Sequence, residues 1–217
     1  KVGIVSNAYW AETETEAVEA LRPLAGLVQD LSISQDDYHG SGQQDCPTAI
    51  ARRAAIGLGI PVNYISVSGP DGSESPSPQL AAEDTGVRYR GRAAEKLAPL
   101  VLHKAWDGFA ECPWEDLRRP GRVHVDSLGN LHVCQGLSIG NLLESPLADM
   151  MHDYDPDAHP IVGPLLKGGP AELVKHYKLE HEHAYADACH LCYSARKRLR
   201  GKFPDALPLN QMYGVGG

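Results

Sequence analysis

Val2-Gly3-Ile4-Val5-Ser6 is an apolar run fit for a fully buried strand, and it sets the reading of everything that follows. Thr13-Glu14-Thr15-Glu16 next reads as a capping box, with Thr13 as cap and Glu16 three residues later. Val18, Leu21, Leu24 and Leu27 continue at helical spacing, with Pro23 at a kink or break. Leu31-Ser32-Ile33-Ser34 is a second short strand, Pro47 opens a helix over 48–58, and 60–67 is a third strand. A βαβαβ rhythm of this kind predicts a parallel sheet with right-handed crossovers. The stretch 68–86 is loop chemistry, with Gly69-Pro70, Asp71-Gly72 and Ser75-Pro76-Ser77-Pro78. Residues 87–90 resume as a strand and 93–97 as a short helix.

The second half has a different rhythm. Residues 122–126 and 130–134 flank Ser127-Leu128-Gly129 and read as a hairpin. Helical segments follow at about 146–152, 171–178 and 187–199. The expected division is a first domain over 1–98 and a small α+β domain over 99–217.

The chain has 217 residues and a formal net charge of −8, with 42% hydrophobic and 22% charged residues. That is ordinary globular composition, not disorder. The acidic balance argues against binding a nucleic-acid backbone, and no stretch of about 18 apolar residues is present to span a membrane. The N-terminal residues show neither a signal-peptide nor a transit pattern, so a cytoplasmic location is the default expectation.

Four of the five cysteines, Cys112, Cys134, Cys189 and Cys192, fall in the second half. Cys189-His190-Leu191-Cys192 brings two thiols within one helical turn, and the distant pair completes a tetrahedral donor set. Clustered cysteines in a cytosolic chain favour metal or redox use over disulfides. Zinc and an iron–sulfur cluster both suit four thiolates, and spacing alone does not separate them. The two cysteines open a helix whose dipole would favour thiolates. Arg196, Lys197, Arg198 and Arg200 follow on that helix, either as cations that offset a thiolate centre or as a solvated basic helix end.

Cys112, sixteen intervening residues, Gly129-Asn130-Leu131-His132-Val133-Cys134 and then Cys189-His190-Leu191-Cys192 resemble the auxiliary-cluster domain of radical S-adenosylmethionine (radical SAM) enzymes. No cysteine follows Cys192, so the likeness is to the shortened one-cluster form, called twitch, and not to the fuller two-cluster SPASM form. The resemblance implies a 4Fe-4S cluster on Cys112, Cys134, Cys189 and Cys192. It implies an α/β fold for the whole chain: the C-terminal strands of a partial parallel βα barrel, then the small α+β cluster domain with its β-hairpin. Residues 2–7 are similar to the third barrel strand of the family, and residues 31–36 to the fourth. That likeness makes Asn7, Ser34 and Asp36 candidates for contact with S-adenosylmethionine. Independently, Asn7, Ser34 and Asp36 fall where active residues of parallel barrels sit, at C-terminal strand ends. Arg92 is a candidate for a ligand carboxylate.

The family's signature, Cys-x-x-x-Cys-x-x-Cys, occurs nowhere in the chain. The resemblance therefore implies that the catalytic cluster and the missing strands lie upstream of Lys1, and that this chain is inactive by itself. It implies radical modification of a substrate, with peptides or proteins common among relatives, and an electron donor as partner. Two other readings are a four-cysteine zinc module and a degenerate relative that serves as a partner or carrier-binding subunit. Asp37, His39, Arg52, Arg53 and Cys46 are secondary candidates, His124 and His132 are candidate supporting donors, and His190 is the histidine placed to replace a cysteine ligand.

Overall fold

The computed structural model describes residues 1–34, 46–65 and 87–213. Asp36, Asp37 and His39 lie outside the described residues. The chain divides into two compact units, Lys1–Gly72 and Ser73–Gly217. Among the described residues no helix is long and apolar enough to cross a membrane.

The first unit is a three-stranded parallel sheet in the order β1 (Gly3–Ser6), β2 (Asp30–Ser34), β3 (Val62–Ile65). Ile4 pairs with Leu31 and Leu31 with Val62, so one apolar row crosses all three strands. Helices α1 (Glu14–Leu21) and α2 (Pro47–Gly57) supply the rest of the core. The capping box forms as expected: Thr13 Oγ1 accepts from Glu16 N at 3.3 Å, and Glu16 Oε2 accepts from Thr13 N at 3.0 Å. Pro23, which cannot donate to a helical ladder, lies in a 3-10 turn at Arg22–Leu24. In α2, Ile50, Ala51, Ala54 and Ala55 recur on one face and pack with Leu31 and Ile33.

The expectation that residues 2–6 are fully buried is corrected. Val2 and Val5 are 58% and 68% exposed. Side chains alternate along a strand, so Val5 faces away from the row of Ile4, Leu31 and Ile33 that meets the helices, while Val2 precedes β1. The opposite row mixes the exposed Val5 and Ile65 with polar residues: Ser32 donates to Asp30 at 2.8 Å, and Asn63 donates to the same carboxylate.

The second unit is α+β. β5 (His124–Val125), β6 (Asn130–Cys134) and β7 (Leu137–Asn141) form an antiparallel sheet in sequence order. A two-residue pair joins β4 (Lys104–Ala105) to β8 (Ala184–Tyr185). The helices are α3 (Arg92–Lys96), α4 (Leu147–Asp153), α5 (Val162–Tyr177) and α6 (Ala188–Leu199). The turn between β5 and β6 is built by Asp126, whose Oδ1 accepts from Leu128 N and Asn130 N at 2.8 and 3.1 Å. Gly129 completes it at φ +85°, a conformation that favours glycine.

Two expectations shift here. Residues 87–90 form no strand, although Val87 and Tyr89 are buried. Arg88 instead donates to Glu115 at 2.8 Å, and Ala94 joins the core of Leu117, Leu173 and Leu191. Packing of this kind places residues 87–98 with the second unit, ahead of the boundary expected at 98. The helix expected at 171–178 belongs to the longer α5, which is broken at Gly168 and Gly169 and resumes at Pro170.

Candidate metal centre

Cys134 ends β6, and Cys189 and Cys192 lie in the first turns of α6. That helix begins where Asp187 accepts from His190 N at 2.7 Å, an N-cap bond that fixes the start and so the facing of both cysteines. Cys112 comes from an irregular segment and needs a separate support. The break in α5 supplies it. Gly169 takes φ +61° and ψ −160°, and a Cβ there would overlap backbone atoms of Phe109, Ala110 and Glu111. The close approach lets Ala171 N donate to Phe109 O at 3.1 Å, three residues before Cys112.

The four cysteines line one cavity of about 20 Å³, with Leu117, Leu137, Leu165 and Pro170 among its apolar walls. They form no disulfide. The volume accommodates one water-sized guest. Among the described residues no group of three or more His, Cys, Asp or Glu closes on the geometry of a single ion. A tetrahedral zinc would bring the four sulfurs to roughly 3.8 Å from one another, given Zn–S bonds of about 2.3 Å. A polynuclear centre sets its thiolates wider and would part the cavity walls.

Two cations share the cavity, Arg90 and Arg196. Arg90 Nη1 donates to Cys134 Sγ at 3.5 Å. Arg196 is 3% exposed; its Nη1 donates to Gln135 O at 3.1 Å, and its Nε is buried with no hydrogen-bond partner. The other members of the basic run point to other tasks. Lys197 pairs with Glu95 at 3.4 Å, Arg198 lies 4.0 Å from Glu180, and Arg200 Nε donates to Leu207 O.

The expected dipole stabilisation of the thiolates is outweighed. Burial pushes the Cys189 thiol far above its ordinary range, with the neighbouring Asp187 and Cys192 adding to it. Burial likewise pushes Cys192 up to about 11. The protein alone therefore holds these groups as neutral thiols, and a coordinated metal reverses that by deprotonating its ligands outright. Four sulfur donors, an apolar wall and two guanidiniums fit a sulfur-ligated, net-anionic centre.

His190 does not face the cavity. Its Nδ1 accepts from Ala186 N at 3.2 Å, its ring packs edge-on to Tyr185, and burial holds it neutral by pushing it down to about 4. His132 is bonded to Asp126 at 2.7 Å and His124 pairs with it across the strands, so both serve the hairpin that carries Cys134.

In the first unit, Asn7 and Ser34 stand at the C-terminal ends of the adjacent strands β1 and β2. Asn7 Oδ1 accepts from Tyr9 N at 3.4 Å, in a turn where the buried Ala8 takes φ +59°. Ser34 pairs with Ile65. Arg92 is exposed at the start of α3 in the second unit. Cys46 precedes α2, with Sγ 3.1 Å from Thr48 Oγ1, and Arg53 on α2 reaches Glu14 at 3.8 Å. Arg52 is exposed on the same helix.

Sequence reading left out the Gly168-Gly169-Pro170 break and did not single out Arg196 from its basic neighbours. Both had a signal: a Gly-Gly-Pro run inside a helical pattern, and the spacing 189, 192, 196 on one helix face. Compared with models of protein families, with curated proteins and with solved structures, the chain matches none.

Proposed function

We propose that the chain is the C-terminal portion of a radical SAM enzyme, and that Cys112, Cys134, Cys189 and Cys192 hold an auxiliary 4Fe-4S cluster. The observation that carries this reading is the convergence of all four cysteines on one cavity with two arginines. Further support comes from Asn7 and Ser34 at the C-terminal ends of two paired parallel strands, where ligand-facing residues of such sheets stand.

In this reading S-adenosylmethionine, when bound, supplies the radical chemistry, and the protein contributes binding and orientation. Asn7, Ser34 and Asp36 contact the cofactor, and Arg92 serves a carboxylate. The four cysteines fill the iron positions of the auxiliary centre, which suits it to electron transfer or support over direct ligation of substrate. The substrate is a peptide or protein and the reductant a separate electron donor. Clustered cysteines used for a metal centre suit a reducing compartment, the cytoplasm.

A second reading is a four-cysteine zinc module without catalytic activity, consistent with a cavity of one water-sized volume although the four thiols do not close on a single ion. Anaerobic purification of the chain, with iron, sulfide and zinc quantified beside a visible spectrum, separates the two. About four irons and four sulfides per chain, lost on Cys189→Ser with Cys192→Ser, support the cluster reading. One zinc with failed anaerobic reconstitution selects the module, and no bound metal in any preparation overturns both.

A further inference from the structure

The cavity holds its positive charge in an unusual place. Arg196 is almost wholly buried, yet among the described residues no carboxylate lies within ion-pair distance of it. A guanidinium removed from water without a counter-charge is costly. Its one hydrogen bond, to Gln135 O, would serve equally well with a neutral donor. The ring of Tyr213 lies 5.8 Å from its carbon centre, and the Tyr213 hydroxyl is already committed to Gly136 O. What remains around Arg196 is the cavity wall of thiols. Arg90, the second cation on that wall, lies against Cys134.

We propose that Arg196, assisted by Arg90, is the built-in counter-ion of an anionic tetrathiolate centre and sets how readily that centre takes up an electron. The proposal rests on the reading of the four cysteines as ligands. Four thiolates around either a divalent zinc or an oxidised four-iron core carry a net charge of minus two. Two guanidiniums oppose it, with the Asp187 carboxyl as a further charged group beside Arg90 and Cys189, and one of the two comes from the helix that supplies Cys189 and Cys192. Reduction of a four-iron core adds one negative charge and breaks no bond, so a fixed cation nearby favours the reduced form. Arg196 is thus a positioning residue for charge, not a ligand.

The test uses the full chain, reconstituted anaerobically with iron and sulfide and titrated with dithionite as the one-electron donor. Arg196→Met removes the charge at similar volume, Arg196→Lys keeps it, and Lys197→Met removes an exposed cation paired with Glu95 on the same helix. Arg196→Met is expected to weaken the reduced form at least tenfold, a fall in midpoint potential of about 59 mV for one electron. Arg196→Lys should recover most of the loss, and Lys197→Met should match wild type. A loaded Arg196→Met protein with the wild-type potential overturns the assignment while leaving the ligand reading intact. If Arg196→Met does not fold, Arg90→Met, at a half-buried position, provides the same readout. If wild type loads zinc alone, the readout becomes transfer of zinc to a chelator, expected to be at least tenfold faster in Arg196→Met; equal rates overturn the proposal. A wild-type chain that retains neither metal removes the ligand reading and this proposal with it.

Discussion

Replacing Gly169 by Ala tests whether the break in α5 is what seats Cys112. At φ +61° and ψ −160° the backbone occupies a region open almost only to glycine, and a non-glycine residue there costs on the order of 1–3 kcal/mol. The added Cβ would overlap the backbone of Phe109, Ala110 and Glu111, and backbone cannot rotate away as a side chain can. Overpacking of this sort costs about 1–3 kcal/mol. The segment must shift, which puts the 3.1 Å bond from Ala171 N to Phe109 O at risk, worth about 1 kcal/mol. Together these amount to roughly 3–7 kcal/mol in the second unit. The same displacement moves Cys112 away from the other three thiols.

Denaturant unfolding followed beside bound metal therefore reads two losses from one methyl group. Gly168→Ala is the control: its φ of −173° lies outside the left-handed region, and the atom nearest an added Cβ is the Glu172 Cβ at 3.0 Å, a side-chain carbon and not backbone. It should cost no more than about 1 kcal/mol and leave metal content unchanged. The reasoning is refuted if Gly169→Ala stays within about 1 kcal/mol of wild type and binds metal equally well.

Serine at Cys112, Cys134, Cys189 or Cys192 should each reduce bound metal to a minor fraction, whereas Cys46→Ser should leave it unchanged; metal analysis of the five variants decides this. Leu191→Ala removes a wholly buried side chain set between two of the cysteines, and should lower stability by about 2–5 kcal/mol in urea unfolding. Burial alone would raise the Glu115 pKa, but the hydrogen bonds from Arg88 and Arg122 outweigh it and hold the carboxyl below 4.5, with His124 nearby. A depressed folded-state pKa gives stability that is present above about pH 4.5 and lost as pH falls through the folded value. Glu115→Gln should accordingly be less stable than wild type at pH 7 and flatter between pH 4.5 and 3, as read from urea midpoints across that range.

Elements whose cause is local were the ones legible beforehand. The Thr13–Glu16 box, the Asp126–Gly129 turn and the start of α6 at Asp187 each depend on bonds within four residues. The cysteine set was legible as a set because thiols are rare and their spacing is short within α6. β7 was missed because Leu137-Ser138-Ile139-Gly140-Asn141 carries a glycine and pairs with β6 through shifts in register, so its strand character comes from its neighbour. Residues 87–90 looked like a strand for the converse reason. Alternating burial of Val87 and Tyr89 gives the right pattern, but among the described residues no strand lies alongside to complete it. The role of Gly169 depends on a backbone segment about sixty residues earlier in the chain, and sequence pattern does not reach that far.

Charge explains why the second unit is organised around its cavity. Without a bound centre, burial keeps Cys189 and Cys192 protonated, and Arg196 is a buried cation facing neutral groups. In the proposed reading, coordination would convert the thiols to thiolates and supply the counter-charge in the same step. If the cysteines hold the proposed centre, folding of this unit and loading of the centre are linked, because ligand deprotonation, ion pairing and closure of the cavity reinforce each other. The first unit carries no such debt, since Leu31, Ile33, Ile50 and the alanines of α2 close an apolar core of their own. A domain that spends a buried arginine beside four cysteines gains little from it as plain scaffolding, because an apolar residue would pack there at lower cost. The proposed anionic centre would give this arginine the counter-charge it otherwise lacks among the described residues.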